Sequence, residues 1–110
     1  MKDGKVLMKI SSAVAVASCA HLRPSSTEDP RVVASYMNEI MGVLMANSGI
    51  RVSVVPMAYP LCSKIPLIIS FEGIGQRLLW YYASLNPDEL SDALFEMVDD
   101  LMAIPACIPA

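Results

Sequence analysis

The sequence predicts an α+β fold in which helices pack on one face of an antiparallel sheet of about four strands. The chain has 110 residues, of which 55% are hydrophobic, and a chain of this length forms one domain with one core. Short runs rich in β-branched residues are typical of strands, and longer apolar patterns with a helical period lie between and after them. The predicted order is therefore ββαββαα over residues 1–110. Residues 104–110 are expected to form an extended C-terminal tail, because Pro105 disfavours helix.

The N-terminal part of the chain has the alternation of two strands, over residues 5–10 and 13–22. In the second run, Val14 and Val16 alternate with small residues, and a period of two is typical of a half-buried strand. Small side chains on one face would let a helix pack closely against the strand. These small residues are Ala13, Ala15, Ala17 and Cys19.

The same residues allow a second interpretation, a secretory leader. Three lysines among the first nine residues precede a stretch of small and apolar residues, which is the order found in signal peptides. Ser18 and Ala20 have the small size needed at a cleavage site, and residues 16–19 resemble the motif ahead of a lipidated cysteine. An exported or lipidated protein that loses residues 1–20 is therefore the alternative to a cytoplasmic protein that keeps them.

The middle of the chain predicts a helix followed by two strands. Over residues 30–46 the helix is mostly apolar, and Thr27-Glu28-Asp29-Pro30 starts it with a capping side chain, early acidic residues and proline in the first turn. Residues 50–57 and 65–71 are rich in β-branched residues and predict strands joined as a hairpin. Pro56 and Pro66 cannot donate to a sheet ladder, so each is expected at a strand end, a bulge or an edge.

Residues 76–85 predict a second helix that is apolar on almost every side. Such a helix must be covered from more than one direction. Because aromatic residues dominate the binding energy of many protein interfaces, this segment supplies the candidate self-association residues. They are Leu78, Trp80, Tyr81 and Tyr82.

The last helix is predicted from an acidic segment. Six of the eleven acidic residues lie in residues 86–102, which contain no lysine or arginine. Asn86, Pro87 and Glu89 stand in the order of a helix start with a capping box. At helical spacing the acidic side chains lie opposite the apolar ones, so they form either a solvated surface or a docking face for a protein partner. The candidate docking residues are Asp88, Glu89, Asp92, Glu96, Asp99 and Asp100.

Few residues could support catalysis or hold a metal. The single histidine, His21, follows Cys19 by two positions, and on one face of a strand the two would form a thiolate–imidazole pair. With Cys62 and Cys107 they also make up a zinc ligand set, but the wide spacing disfavours it.

The glycines of Gly73-Ile74-Gly75 follow a strand and precede the predicted helix at residues 76–85, which is the setting of a phosphate-binding loop. The third glycine of that motif is replaced by Leu78, so a tight strand-to-helix corner is the prediction. No catalytic, cofactor-binding or metal site is predicted. A cysteine-dependent enzyme ranks third among the functions considered.

Charge and hydropathy narrow the class of function. The net charge is −3 and no basic stripe is present, so direct nucleic-acid binding is not expected. No apolar run is long enough for a membrane span. The sequence favours a non-catalytic protein–protein interaction module, homodimeric, acting as an adaptor, chaperone or inhibitor on a partner with a basic surface. The predicted order of elements resembles that of the small adaptor modules of the longin and roadblock kind.

Overall fold

The computed structural model describes residues 2–25, 29–57 and 64–106, with side chains for residues 7–25, 29–57 and 64–101. The fold is α+β, as predicted, but the order over these residues is ααβββα and the sheet has three antiparallel strands. The elements are α1 (Lys2–Ser18), a 3₁₀ turn (Ala20–Leu22), α2 (Pro30–Leu44), β1 (Val52–Pro56), β2 (Lys64–Phe71), β3 (Gly75–Tyr82) and α3 (Pro87–Ala106).

The two strands predicted before residue 23 are wrong, because this part of the chain forms α1 and the 3₁₀ turn. The buried side chains are Ser12, Ala15, Val16 and Cys19, and their 3-1-3 spacing is that of one helical face. The alternation of valine with alanine and serine in this segment resembles that of a strand. Alanine, however, has the highest helix propensity of all residues. The small side chains let α1 pack closely against α2 and α3.

Helix α2 begins at Pro30, the first residue of the predicted helix. The Asp29 carboxylate accepts a hydrogen bond from the Arg31 N–H at 3.0 Å, and Pro30 is the first helical residue. Three methionines at four-residue spacing, Met37, Met41 and Met45, are all buried in the core. They fill space between α2 and the rest of the domain.

The sheet has the strand order β1-β2-β3, so β2 is central and the predicted pairing of β1 with β2 is confirmed. Ile65, Leu67 and Ile69 alternate along β2 with no exposed surface and form one core with the helices. Pro56 ends the edge strand β1, in agreement with the prediction. Pro66 instead lies inside the central strand β2, opposite Met57 just beyond the end of β1, where its missing N–H removes one ladder bond. The connection between β1 and β2 lies outside the described residues, except for Met57.

The helix predicted over residues 76–85 is wrong, because Gly75–Tyr82 is strand β3. A tight turn joins it to β2: the Phe71 C=O accepts from the Ile74 N–H at 2.9 Å, and Gly73 has φ 81°, a conformation that favours glycine. Along β3, buried Leu79 alternates with exposed Leu78. Both faces of β3 carry apolar residues, so its period of two cannot be seen in the sequence.

Helix α3 begins with the predicted capping box. The Glu89 N–H donates to Asn86 Oδ1 at 2.8 Å, and the Asn86 N–H donates to Glu89 Oε1 at 3.2 Å. The predicted extended tail is corrected at its start, because α3 runs to Ala106, one residue beyond Pro105. A proline in the last turn interrupts less of the helical bonding than one in the interior. Residues 107–110 lie outside the described part of the chain.

Candidate functional site

The face of the sheet turned away from the helices carries a continuous apolar surface, which we call the outer sheet patch. The strand register aligns Val55, Ile68 and Leu78 in one row across the three strands. A second row is formed by Met57, Pro66 and Trp80: the Met57 N–H donates to the Pro66 C=O, and Pro66 is paired with Trp80. Met57 and Trp80 supply the exposed surface of this row, because Pro66 is buried. The exposed fractions of Val55, Met57, Leu78 and Trp80 are 52, 59, 45 and 42%. Exposed apolar area of this kind marks interaction surfaces in soluble proteins.

Polar groups border the outer sheet patch at both ends of the strands. At one end, Gln76 Nε2 donates to Ser70 Oγ at 3.1 Å, and Ser53 is paired with Ser70 in the strand register. At the other end, Lys64 Nζ lies 5.4 Å from the centre of the Tyr82 ring, within the range of a cation–π contact. An apolar centre with a polar rim is the usual organisation of a protein–protein interface.

The two edges of the sheet differ in how they are covered. At the β1 edge, Asn38 of α2 uses its side-chain amide as a substitute strand: Nδ2 donates to the Val54 C=O and Oδ1 accepts from the Val54 N–H, both at 2.9 Å. The amide satisfies the groups that an edge strand leaves unpaired. The β1 edge is therefore closed at its centre.

The β3 edge has no such cover among the described residues. Ladder bonds alternate along antiparallel strands, and the bond from the Met57 N–H to the Pro66 C=O directs the backbone groups of Leu67 and Ile69 towards β3. Their register partners are Leu79 and Arg77, so the backbone groups of Leu78 and Trp80 point away from the sheet. The open edge thus presents the N–H and C=O of two apolar residues.

Most of the predicted docking residues on α3 are exposed, as expected from their spacing: Asp88, Glu89, Asp92, Glu96 and Asp100. Asp99 is half-buried. Arg77 of β3 donates from Nη2 to Asp100 Oδ2 at 2.8 Å, which couples the acidic helix to the strand beside it.

A groove of about 510 Å³ runs between β3 and α3. The Arg77–Asp100 ion pair lies in it, and within the described residues no basic side chain pairs with the exposed carboxylate of Glu96. The remaining lining residues are Leu78, Leu79, Ala93 and Met97. The structure thereby brings one edge of the outer sheet patch next to the acidic face of α3.

The four predicted self-association residues divide between the two faces of β3. Leu78 and Trp80 belong to the outer sheet patch, and Tyr82 is half-buried at its rim. Tyr81 has no exposed surface and meets Tyr36 edge-to-face, with ring centres 6.2 Å apart. The inclusion of Tyr81 is therefore wrong, because a strand directs adjacent side chains to opposite faces.

The thiol of Cys19 lies in surroundings unlike those of a catalytic nucleophile. Cys19 is buried at the end of α1 and His21 is exposed in the 3₁₀ turn, so the two do not share a strand face. Burial raises the pKa of the Cys19 thiol, and the nearby Glu39 carboxylate raises it further. Both effects disfavour the thiolate that such chemistry requires.

The remaining sequence motifs have no site in the described structure. Cys62 and Cys107 lie outside the described residues, and the described part contains no cluster of potential metal ligands. The turn Glu72-Gly73-Ile74 leads into a strand, so the helix N-terminus needed for the phosphate-binding interpretation is missing there.

Four residues of the outer sheet patch in and next to β1 and β2 were not predicted from the sequence, namely Val55, Met57, Pro66 and Ile68. A signal was present, because residues 65–69 contain no polar residue and a strand without one places apolar side chains on both faces. A smaller apolar surface lies on α1, where Leu7, Ile10 and Val14 are exposed at helical spacing.

Comparisons with known proteins found no relative of this chain. No family model matches it, and neither the curated proteins nor the solved structures give a match. Of the helices in the described residues, none combines the length and hydropathy that crossing a bilayer requires. The class that the fold and site define is a small α+β domain with an open apolar sheet face.

Proposed function

We propose that the protein is a non-catalytic protein–protein interaction module, an adaptor, chaperone or inhibitor that forms a homodimer through its outer sheet patch. The observation that carries this proposal is the row of Val55, Ile68 and Leu78 across all three strands, with exposed Met57 and Trp80 beside it. A second sheet laid face to face on the first would cover them, in the manner of a β-sandwich.

The types of side chain in the outer sheet patch support the proposal that the patch binds a partner. Trp80, the only tryptophan of the chain, is 42% exposed although much of the interior is filled with smaller aliphatic residues. Tryptophan is the residue most enriched in interface hot spots, and a hot spot needs surrounding residues that exclude water. Val55, Ile68 and Leu78 are placed to do so.

The acidic face of α3 supports a second role, docking of a partner with a basic surface. Five exposed carboxylates on one helix create a local negative field, and such fields act mainly through association rate and choice of partner. This face does not overlap the outer sheet patch, so a homodimer would leave it free.

The burial of α1 supports the interpretation that its described residues belong to the domain rather than to a removable leader. Ser12 and Ala15 have no exposed surface, and Val16 is 3% exposed. Ser12 Oγ also donates to the Met8 C=O at 2.9 Å. Removal of this helix would uncover the apolar surfaces of α2 and α3 against which it packs.

Sedimentation equilibrium of purified protein tests the homodimer. We expect the wild type to be a dimer at tens of micromolar, and Leu78→Glu and Trp80→Glu to be folded monomers. Val43→Glu is the matched control, because Val43 on α2 has the same exposed fraction as Leu78, 45%, but lies outside the patch. A monomeric wild type, or a control as disruptive as Leu78→Glu, would refute the proposal.

A further inference from the structure

The contrast between the two sheet edges identifies a binding site along β3. Natural proteins usually protect exposed edge strands, and here Asn38 protects β1. Strand β3 is longer, with eight residues against five, and the described structure leaves its outer edge open. An extended segment can add to such an edge through main-chain hydrogen bonds.

The bonding pattern of β3 limits where a segment can attach. The Gln76 C=O already accepts from Arg77 Nη1 at 2.9 Å, and the Tyr82 C=O accepts from the Leu85 N–H at 3.0 Å. Between them, the N–H and C=O of Leu78 and Trp80 remain for a partner strand. These groups lie beside the apolar side chains of the outer sheet patch on one face and beside the groove on the other.

The two faces of an added strand would meet opposite chemistries. Alternate side chains on one face would extend the rows that end at Leu78 and Trp80, and this face favours apolar residues. Alternate side chains on the other face would enter the groove beside Glu96, which has no basic partner among the described residues. This side favours lysine or arginine, because a carboxylate attracts a cation at close range.

Charge also argues against a second copy of the chain on this edge. Antiparallel pairing of β3 with β3 of another copy about a two-fold axis would place both grooves on the same side of the joined sheet. The Glu96 carboxylates of the two copies, which have no basic partner among the described residues, would then lie on that same side, and like charges brought together are destabilising. A basic segment meets no such penalty.

The geometry points to the β3 edge and the groove beside α3 as a binding site for an extended peptide segment that alternates apolar and basic residues and adds to β3 as an antiparallel strand. This inference rests on the proposed docking role of α3 and assigns it a class of partner. Dimer formation through the outer sheet patch is a separate event, which sedimentation measures independently.

Three synthetic peptides test the site on the full-length protein: acetyl-KVKVKVK-amide, the same composition in the order KKVVKKV, and EVEVEVE. Binding is followed by Trp80 emission and by amide hydrogen exchange of Leu78 and Trp80. We expect only KVKVKVK to bind, with a blue shift of the emission and at least tenfold slower exchange at both amides. Equal binding of the reordered or the acidic peptide would overturn the inference.

Backbone methylation of the peptide tests strand addition directly. In an antiparallel pair, directly opposite residues have side chains on the same face, so the valines that extend the outer rows also make the hydrogen bonds to Leu78 and Trp80. N-methylation of the central valine should weaken binding at least tenfold, while N-methylation of the neighbouring lysine should leave it unchanged. Equal loss from both, or the reverse order, would exclude this geometry.

Protein variants test the charge of the groove. Glu96→Gln should weaken KVKVKVK about two- to fivefold, the size expected of one exposed ion pair. Glu72→Gln, a similarly exposed acid in the β2–β3 turn, should have no effect. Equal effects of the two variants would overturn the inference.

Discussion

The side-chain amide of Asn38 forms two 2.9 Å hydrogen bonds with the backbone of Val54, one to its C=O and one from its N–H. One residue of α2 thereby takes the place of a neighbouring strand at the β1 edge. The same Nδ2 also donates to the Ala34 C=O at 3.0 Å, which holds the amide in place. Helix and sheet are joined at this point by polar contacts as well as by the core.

Replacing Asn38 should destabilise the domain and expose the β1 edge. Asn38→Ala leaves two backbone groups of Val54 without partners, which costs about 1–3 kcal/mol of the free energy of unfolding. Urea denaturation measures this cost, and light scattering measures any added self-association. Asn47→Ala, at an exposed asparagine beyond α2, should stay within about 0.5 kcal/mol of the wild type. Equal stability of the two variants would show that the Asn38 bonds contribute nothing.

The capping box of α3 should contribute to stability as a coupled pair. Asn86→Ala removes the acceptor of the Glu89 N–H and should cost about 0.5–2 kcal/mol. Glu89→Ala should cost less in the Asn86→Ala background than alone, because the two side chains bond each other's backbone N–H. A double-mutant cycle by urea denaturation measures this coupling, with Asp92→Ala as the control on the exposed face. Additive losses would argue against a reciprocal cap.

Tyr81→Phe should leave stability unchanged or increase it. The Tyr81 hydroxyl is buried and has no hydrogen-bond partner among the described residues, so its removal relieves an unsatisfied polar group while the ring contact with Tyr36 is kept. Tyr82→Phe, at a half-buried rim position, is the matched control. Tyr81→Glu should instead give insoluble protein, because it places a charge in the core. A loss of more than about 1 kcal/mol in Tyr81→Phe would indicate that the hydroxyl has a partner in solution.

Stability should fall in alkaline solution because buried tyrosines resist ionisation. Burial raises the pKa of Tyr36 and of Tyr81, in both cases as the largest effect, and the Arg23 guanidinium opposes the rise. A pKa that is higher in the folded state means that the folded protein holds its proton more tightly. This contribution is fully present below the unfolded pKa of about 10 and is lost as the pH rises through the folded values.

Urea denaturation between pH 8 and 11 measures this loss. The variant with both Tyr36→Phe and Tyr81→Phe should show a shallower decline above pH 10 than the wild type. Cys19→Ala should reduce the part of the decline that begins near pH 9, because the pKa of the buried thiol is also raised. Identical slopes in all three proteins would assign the alkaline loss to other groups.

Deletion of residues 1–20 should prevent folding to a soluble monomer or dimer. The deletion removes the buried face of α1, including Ala15 and Val16, and uncovers the helices beneath it. Circular dichroism and light scattering should show lost helix and aggregation. As the control, replacement of the exposed residues Leu7 and Ile10 by serine should keep the fold. A stable, cooperatively unfolding deletion variant would favour the leader interpretation of the N-terminal segment.

Elements with local signals could be predicted from the amino-acid sequence. The starts of α2 and α3 followed from Thr27-Glu28-Asp29-Pro30 and from Asn86-Pro87 with Glu89, because a cap is made by residues within three positions of each other. Strands β1 and β2 followed from β-branched runs, and the exposure of most acidic residues on α3 followed from helical spacing.

Where local patterns agree with both helix and strand, long-range packing selected the element that forms. Residues 76–85 are apolar in either reading, and β3 forms because its inner side chains join the core while its outer ones extend the rows from β1 and β2. Residues 13–19 alternate like a strand, but helix α1 buries a face of small side chains against two other helices. The candidate site depends on the same long-range choices: the outer sheet patch exists only once three strands are in register, and the groove only once α3 lies beside β3. Such pairings join residues far apart in the chain, which local propensity does not encode.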